Sequence, residues 1–263
     1  MRKYIYIFKA SFMESLQYIM NILLGFISFF ILLYIFLNLW NYIYSDSTSL
    51  IEGYSKTQMI WYVVITEIMW FGTRNHTLTR QISNDIKSGT IAYNINKPYN
   101  YMFYIIARHV GEIAIKFFLF LGVGILFGYL FIGTLPGFSL KTLPMLTTVF
   151  LLSILINSFI RIGISLISFW IEDAGPFHWI YDKLIIVIGT LFPVEVFPEW
   201  FQPFIKSSPI YVITYGPAKL VINFSSNMFL NVLLAQSLYI LITVFILTLL
   251  YRRGVKKLNV NGG

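Results

Sequence analysis

The chain has 263 residues, of which 57% are hydrophobic and only 11% are charged, and its mean hydropathy is +0.74. Soluble domains carry roughly 25% charged residues, so this composition excludes a soluble protein and predicts an integral membrane protein. The net charge of +8 does not indicate nucleic-acid binding, because no basic run is interleaved with aromatic residues and because Lys and Arg collect on the cytoplasmic loops of membrane proteins. The absence of cysteine excludes disulfides and thiolate metal sites.

The N-terminal part of the chain contains two predicted spans. Residues 1–17 are basic and amphipathic, which predicts a helix at the membrane interface, and residues 19–39 are long and apolar enough to cross the membrane. The run 58–71 is short and contains Glu67, so it could instead be interfacial. We count it as a span, because only then do the Lys and Arg residues of the loop 74–97 lie on the same side as the basic termini.

The rest of the chain contains four further predicted spans, at residues 101–132, 143–170, 178–192 and 227–251. Within the third span, Gly124 and Gly128 form a small-xxx-small pattern, which predicts a close contact with another helix. The sequence therefore predicts an all-α membrane protein. It would be a single transmembrane domain over residues 1–263, with six transmembrane helices and both termini in the cytoplasm.

The segment between the fifth and sixth predicted spans is hydrophobic but rich in proline. Its prolines recur every five or six residues around an aromatic side chain: Pro193, Pro198, Trp200, Pro203 and Pro209. Proline interrupts helices, so one continuous helix is excluded. Non-helical backbone persists at membrane depth only where protein or water covers it. We therefore predict a short re-entrant element on the outer side of the membrane.

Charged side chains within the predicted spans usually face protein or a water-filled path, and we single out five of them. Arg108, Glu112 and Lys116 follow one another at four-residue steps on one helical face. They either pair at the start of an interfacial helix or pass movement into the third span, and the two interpretations are compatible. Glu67 and Arg161 lie in the second and fourth spans and could pair with each other.

The longest polar interval of the chain, residues 74–98, separates the second and third predicted spans. Within it, Leu78, Ile82 and Ile86 recur every four residues, so a short helix would carry one narrow apolar stripe. Gly89 is a natural end for that helix. A short amphipathic helix between two spans either lies flat at the membrane surface or docks into a partner protein. We predict that this one docks.

The sequence contains none of the common motifs of enzymatic chemistry. It has no G-x-x-x-x-G-K-[ST] nucleotide loop, no H-E-x-x-H zinc motif and no G-x-S-x-G nucleophile motif. We therefore predict that the chain is not an enzyme and carries no metal or cofactor of its own. If its work consumes ATP, a partner must bind the nucleotide.

Five stretches resemble the ABC-2 permease family, and within it a branch whose members occur as paired permeases beside one ATPase. These are ISNDIKSGTIAY (residues 82–93), KPYNY (97–101), FWIED (169–173), the segment 193–200 and ITYGPAK (213–219). The resemblance extends over essentially the whole chain. It implies that the loop between the second and third spans is a coupling helix that sits in a groove of the ATPase. The coupling residues would be Leu78, Ile82, Asp85, Ile86, Lys87, Ser88 and Gly89.

Together with these features, the resemblance implies the permease subunit of an ATP-driven exporter in a bacterial plasma membrane, and the outward direction rests on the resemblance alone. The subunit would move a hydrophobic or amphipathic substrate, such as a drug, a peptide or a lipid-like molecule, outward. Its partners would be a cytoplasmic ABC ATPase that holds ATP and Mg²⁺, a second permease (identical or related) and membrane lipid. The alternatives are an ion-coupled secondary transporter that uses Glu67 and Arg161, and a membrane scaffold or assembly factor without transport.

Overall fold

The protein is almost entirely helical. A computed structural model describes residues 2–44, 50–171 and 173–258, apart from the side chains of His76, Leu78 and Thr79. Of the residues singled out above, Glu172 and the side chain of Leu78 therefore lie outside the described part. The structure is 83% helical and its described residues contain no β-strand, which confirms the predicted all-α class.

Eleven α-helices make up most of the described residues. They are α1 (Arg2–Gln17), α2 (Ile19–Ile43), α3 (Lys56–Thr73), α4 (His76–Lys87), α5 (Thr90–Ile95), α6 (Tyr101–Phe131), α7 (Leu143–Leu166), α8 (Gly175–Leu184), α9 (Gln202–Lys206), α10 (Gly216–Ile222) and α11 (Ser226–Leu258). Two π-helical segments, Ile185–Thr190 and Tyr211–Tyr215, directly follow α8 and directly precede α10. Short 3₁₀ turns complete the chain.

Four helical segments in the described part are long and apolar enough to cross a membrane: Ile19–Ile43, Tyr101–Phe131, Leu140–Phe169 and Ser226–Leu258. They coincide with the predicted first, third, fourth and sixth spans. The predicted second span is α3, which has 18 residues but is not among the four. The predicted fifth span is α8, with ten residues, continued by a π segment of six.

Helix α3 tolerates polar residues because protein surrounds it. Every residue from 59 to 70 is buried, on all faces of the helix, and these residues include Thr66 and Glu67. Its neighbours are α2, α6, α10 and the two π segments. A helix shielded on all sides does not need the continuous apolar surface that lipid demands. By contrast, α2 leaves an apolar face exposed, which includes Leu24 and Ile27.

The predicted small-xxx-small contact is present, and its partner is α3. A Cβ atom at Gly124 would lie 2.6 Å from the side chain of Ile68, and one at Gly128 would overlap the ring of Trp61. The numbering falls along α3 as it rises along α6, so the two helices are antiparallel. Glycine lets their axes approach closely, as in other membrane helix pairs.

Helix α1 packs along the first half of α6. A Cβ atom at Gly111 would lie 3.1 Å from the side chain of Ser11. The Lys3 ammonium donates a hydrogen bond of 2.7 Å to the carbonyl of Pro98, just before α6 begins. The predicted interfacial helix therefore has a protein partner on one face.

The bundle has two different ends. One end carries α4, α5 and the Lys3–Pro98 contact, and we call it the α4 end. The other end, which we call the α10 end, carries residues 193–222. There the described chain forms a 3₁₀ turn, then α9, and then a continuous helical stretch over residues 209–222 that includes the second π segment and α10. The prolines thus interrupt the helix as predicted.

Candidate functional site

Two residues of the apolar stripe of α4, Ile82 and Ile86, face the chain's own bundle. Ile82 is fully buried and Ile86 nearly so, in a cluster that also contains Tyr101 and Ile105 of α6 and Leu166 of α7. The same cluster includes Leu247 of α11. Ile82 and Ile86, which were expected to serve the docked partner, are therefore occupied inside the protein, in a cluster that α4 shares with three long helices.

The face of α4 that remains exposed is polar. It carries Arg80, Asn84 and Lys87, and it continues into Ser88 and Gly89. Gly89 adopts a φ of 74°, a left-handed conformation that favours glycine, and it turns the chain from α4 into α5. Of the predicted coupling residues, Lys87, Ser88 and Gly89 are thus accessible to a partner, whereas Ile82 and Ile86 are not.

Asp85 lies between these two faces and is half-buried. Its Oδ2 accepts a hydrogen bond of 3.3 Å from the hydroxyl of Tyr101. Burial raises the pKa of the Asp85 carboxyl. The hydrogen bond from Tyr101 and the positive charges of Arg108 and Lys97 lower this pKa, but they offset the effect of burial only in part. Asp85 therefore connects α4 to the beginning of α6 and presents only part of its surface outward.

The charged face of α6 forms a connected group. Arg108 Nε lies 2.8 Å from Glu112 Oε1, one helical turn away, and the Asn75 amide donates to Glu112 Oε2 at 2.6 Å. Asn75 immediately precedes α4. The predicted pairing along the helix is confirmed, and it also ties the start of α4 to α6. Lys116, the third member of the predicted face, makes no hydrogen bond or ion pair with any residue that the structure describes.

The pairing considered between Glu67 and Arg161 is not formed. Arg161 instead lies 2.9 Å from Asp182 of α8, with which it forms a buried ion pair. Glu67 is 3% exposed and contacts Thr190 in the π segment after α8, and its Oε2 has no hydrogen-bond partner in the described part of the chain. The correction has a simple cause: α8 packs against the same stretch of α7 and supplies the nearer carboxylate.

A second polar cluster, at the α10 end, was not predicted. Glu195 accepts a hydrogen bond of 2.9 Å from the Tyr54 hydroxyl, and its other oxygen accepts from Tyr215 and Lys219. Burial raises the pKa of the Glu195 carboxyl, but the hydrogen bonds and charge from Lys219 and Tyr215 outweigh burial and hold it below its usual value. We call these four residues the Glu195 cluster. It joins the loop before α3 to residues 193–222.

The re-entrant residues named from the sequence surround this cluster without taking part in it. Pro193 is buried and precedes the 3₁₀ turn that carries Glu195. Pro198 and Pro203 are exposed, Pro209 is half-buried, and Trp200 is 71% exposed. The prolines shape the path of the chain, while Glu195 fixes it to its neighbours.

Both π segments are held by side chains of neighbouring helices. The carbonyl of Gly189 accepts a hydrogen bond of 2.9 Å from Tyr62, and that of Thr190 accepts one of 3.1 Å from Thr66. The carbonyl of Val212 accepts from Ser153 of α7 and from Gln236 of α11, each at 3.0 Å. A π-helix disturbs the regular carbonyl pairing, and such segments occur frequently at functional sites. Here polar residues of α3, α7 and α11 provide the replacement partners.

An apolar groove of about 330 Å³ runs between α6 and α7. Its walls include Phe117 and Leu121 of α6 and Phe150 and Leu151 of α7, and Phe138 lies at its α10 end. Grooves of this size and character accommodate apolar chains or rings. No group of three or more His, Asp or Glu residues within the described ranges is arranged to hold a metal ion.

The fold and site define a helical membrane protein with an anchored, polar-faced helix between its long apolar helices. The sequence model of the family described as "ABC-2 family transporter protein" matches residues 27–262. The chain therefore belongs to the ABC-2 transporter family, as the resemblance had implied. A comparison with curated proteins finds no match.

Proposed function

We propose that the chain is the membrane-spanning permease subunit of an ATP-driven exporter in a bacterial plasma membrane. In this proposal α3 is the second of six spans, and α8 with its π segment is the fifth. The α4 end faces the cytoplasm, and residues 193–222 form the outer re-entrant element of a single transmembrane domain. ATP and Mg²⁺ are bound by a separate ATPase subunit, so the chain itself is not an enzyme.

Two contacts support this orientation. The Lys3–Pro98 hydrogen bond brings the N-terminal helix to the α4 end, and the ring of Phe169 fills the space above Gly254 near the end of α11. Both termini of the described chain therefore lie with α4. They bring their basic residues to the side that carries Arg80 and Lys87, as expected for cytoplasmic segments.

The observation that carries the proposal is that α4 has one buried apolar face and one exposed polar face. Ile82 and Ile86 are buried in a cluster that they share with residues of α6, α7 and α11, while Arg80, Asn84 and Lys87 stay exposed. A helix bound this way must move together with the long helices that hold it. An ATPase that binds the polar face can therefore transmit its own conformational closure to the spans as a rigid-body movement.

The apolar groove between α6 and α7 supports the proposed substrate class. The groove between α6 and α7 is lined almost entirely by hydrophobic side chains, which suit a hydrophobic or amphipathic molecule such as a drug, a peptide or a lipid-like compound. A second permease, identical or related, would complete the pathway. ATP-driven closure would then repack the two permeases so that the substrate leaves outward.

An ion-coupled secondary transporter is the second candidate, and Glu67 favours it. A buried carboxylate with one oxygen that has no hydrogen-bond partner among the described residues is suited to bind an ion. Arg161, the other residue considered for this role, is already neutralised by Asp182. This candidate predicts transport that depends on a proton or sodium gradient and persists without ATP. A non-transporting scaffold would show neither dependence.

The test is co-expression of the chain with candidate ABC ATPases, followed by affinity purification and an ATPase assay in liposomes. We expect one ATPase to co-purify and to hydrolyse ATP faster in the complex. Lys87→Glu should weaken this association, whereas Lys9→Glu, an equal charge change on the exposed face of α1, should not. A stable, well-folded chain that retains none of the ATPases would overturn the proposal.

A further inference from the structure

A second apolar groove, of about 230 Å³, lies between α7 and α11 in the half of the bundle next to the α4 end. Gly163 and Ile167 line it from α7, and Ile246 and Leu250 line it from α11. The hydroxyl of Thr243, which also lines it, donates to carbonyls of its own helix, so the wall that the groove offers is apolar. We call it the α7–α11 groove.

The end of α11 beyond this groove is strongly basic. The helix carries no charged residue from Ser226 to Tyr251, and it then presents four cations within two turns. All four side chains are exposed: Arg252, Arg253, Lys256 and Lys257. None of them forms an ion pair with a residue that the structure describes.

The side-chain carboxylates at this end of the bundle do not balance these cations. Asp85 accepts a hydrogen bond from Tyr101, and Asp173 accepts one of 2.9 Å from the backbone N–H of Gly175. Three further carboxylates each lie beside an arginine of the bundle: Glu14, Glu112 and Asp182. Glu172 lies outside the described residues. Even with Glu172 and Asp173 both facing α11, two of its four cations would remain unbalanced.

Two of the four cations share the face of α11 that lines the groove. Successive residues of an α-helix are about 100° apart, so residues seven apart lie within about 20° of each other. Arg253 follows Ile246 by seven residues, and Lys257 follows Leu250 by seven. The other two cations precede these by one residue each, so they face about 120° away from the groove-lining residues.

The groove and these cations meet at the boundary between apolar and polar surface. The ring of Phe169 packs against Gly254, and the next residue, Trp170, is 42% exposed. On the apolar side of this level, α11 exposes Phe245 and Leu249. Exposed aromatic and cationic side chains at the end of an apolar helix surface lie at the depth of lipid headgroups.

We propose that the α7–α11 groove, with Arg253 and Lys257 at its end, is a binding site for an anionic phospholipid of the leaflet at the α4 end. An acyl chain lies in the groove, and the phosphate pairs with the two cations beside Trp170. A free anion would neutralise the cations but leave the groove uncovered. The two cations favour a lipid of net negative charge, such as phosphatidylglycerol, over zwitterionic phosphatidylcholine. The site requires neither an ATPase nor export, so it goes beyond the proposed function.

The test is native mass spectrometry of the full chain in detergent, without an ATPase, titrated with phosphatidylglycerol or phosphatidylcholine. We expect tighter binding of phosphatidylglycerol. Arg253→Met with Lys257→Met should weaken it about 25-fold, since each cation near the membrane surface contributes about fivefold. Arg252→Met with Lys256→Met removes the same charge from the same turns but away from the groove. It should weaken binding by no more than about twofold, because solvent screens charges that do not touch the phosphate.

The apolar part of the site is tested separately. Gly163→Leu fills the groove and keeps every cation, so it should also weaken phosphatidylglycerol binding. If Gly163→Leu does not fold, Ile246→Trp fills the groove from its exposed rim and should have the same effect. Millimolar glycerol phosphate, the soluble headgroup, should not displace the lipid.

Four results would overturn the proposal. Equal losses for the two double variants would identify a diffuse basic surface, and full displacement by glycerol phosphate would identify a free-anion site. Unchanged phosphatidylglycerol binding by a folded, groove-filled variant would remove the acyl-chain site. If Arg253→Met with Lys257→Met binds the lipid normally but no longer co-purifies with the ATPase, this face belongs to the ATPase and not to lipid.

Discussion

The guanidinium of Arg161 lies 2.9 Å from the carboxylate of Asp182, and both side chains are more than nine-tenths buried. The same guanidinium lies 5.8 Å from the ring centre of Trp70 and 5.3 Å from that of Tyr181. Burial of two ions costs several kcal/mol each, so the pair depends on its mutual attraction and on these ring contacts. It joins α3, α7 and α8 at one point, and neither charge can be removed alone without penalty.

Arg161→Met is therefore expected to destabilise the protein by about 3 kcal/mol, because it leaves the Asp182 carboxylate buried and without its nearest partner. We expect a clear fall in the midpoint of thermal unfolding, measured in detergent by fluorescence-detected size-exclusion chromatography. Arg80→Met, which removes an exposed arginine from α4, is the control and should leave the midpoint unchanged.

The double variant Arg161→Met with Asp182→Leu sharpens this test. In Arg161→Met, the buried Asp182 carboxylate keeps, among the described residues, only the half-exposed Arg74, at 3.9 Å, as a cationic neighbour. Replacing both buried ions by apolar residues removes that carboxylate as well, so the double variant should recover part of the stability lost in Arg161→Met. If the single and double variants unfold at the same temperature, the contribution of Arg161 lies in its packing against the two rings and not in the ion pair.

Gly128→Ala is expected to disrupt the contact between α3 and α6. The added methyl group would overlap the ring of Trp61, which is fully buried and has little room to move. Overpacking of this kind costs typically 1–3 kcal/mol, so we expect a loss of roughly 2 kcal/mol in the same unfolding assay.

Gly122→Ala is the matched control, because a methyl group there would meet no atom within 4 Å. Alanine favours helix over glycine, so this variant should be as stable as the wild type or slightly more stable. Combining Gly128→Ala with Trp61→Phe should restore part of the stability. Equal destabilisation at positions 122 and 128 would contradict the proposed close contact.

Hydropathy alone predicts the four longest membrane helices, because these helices face lipid on much of their surface. The prediction of the second span, α3, rested instead on the distribution of Lys and Arg between the loops. Its polar residues Thr66 and Glu67 make it a weak candidate on hydropathy, yet they are tolerated because protein encloses the helix. Local spacing also predicted the Arg108–Glu112 pair, since residues four apart always face each other on a helix.

Contacts between distant residues could not be predicted in this way. Glu195 and Tyr54 are separated by 141 residues, and nothing in the local pattern of either indicates the other. For the same reason the sequence suggested Glu67 as a possible partner of Arg161, where the structure places Asp182. The apolar stripe of α4 indicated that one face of the helix is buried, but the periodicity does not reveal whether a partner or the chain itself buries it.

The Glu195 cluster should make stability depend on acid pH. The folded-state pKa of Glu195 lies below its usual value of 4.5, so its contribution is fully present above that value and is lost as the pH falls through the folded pKa. Between pH 6 and about pH 3 the unfolding midpoint of the wild type should therefore fall further than that of Glu195→Gln, which cannot ionise.

Glu199→Gln is the control for this prediction, since Glu199 is exposed and only four residues away. Its pH profile should follow that of the wild type. Parallel profiles for all three proteins would show that the ionised form of Glu195 does not stabilise the contact between residues 193–222 and the loop before α3.

Ile82→Ala should separate binding of the ATPase from its effect on transport. Ile82 is fully buried in the cluster that holds α4 to α6, α7 and α11, so its truncation should cost about 2–4 kcal/mol of local packing. The exposed face with Arg80, Asn84 and Lys87 is untouched. In liposomes, the complex should still assemble and hydrolyse ATP, while substrate transport per ATP falls because α4 no longer moves with the spans.

Lys87→Glu should show the opposite pattern, with weaker assembly but normal transport per ATP in the complexes that form. If both variants lower assembly alone, α4 serves only as a docking surface and the movement reaches the spans by another route.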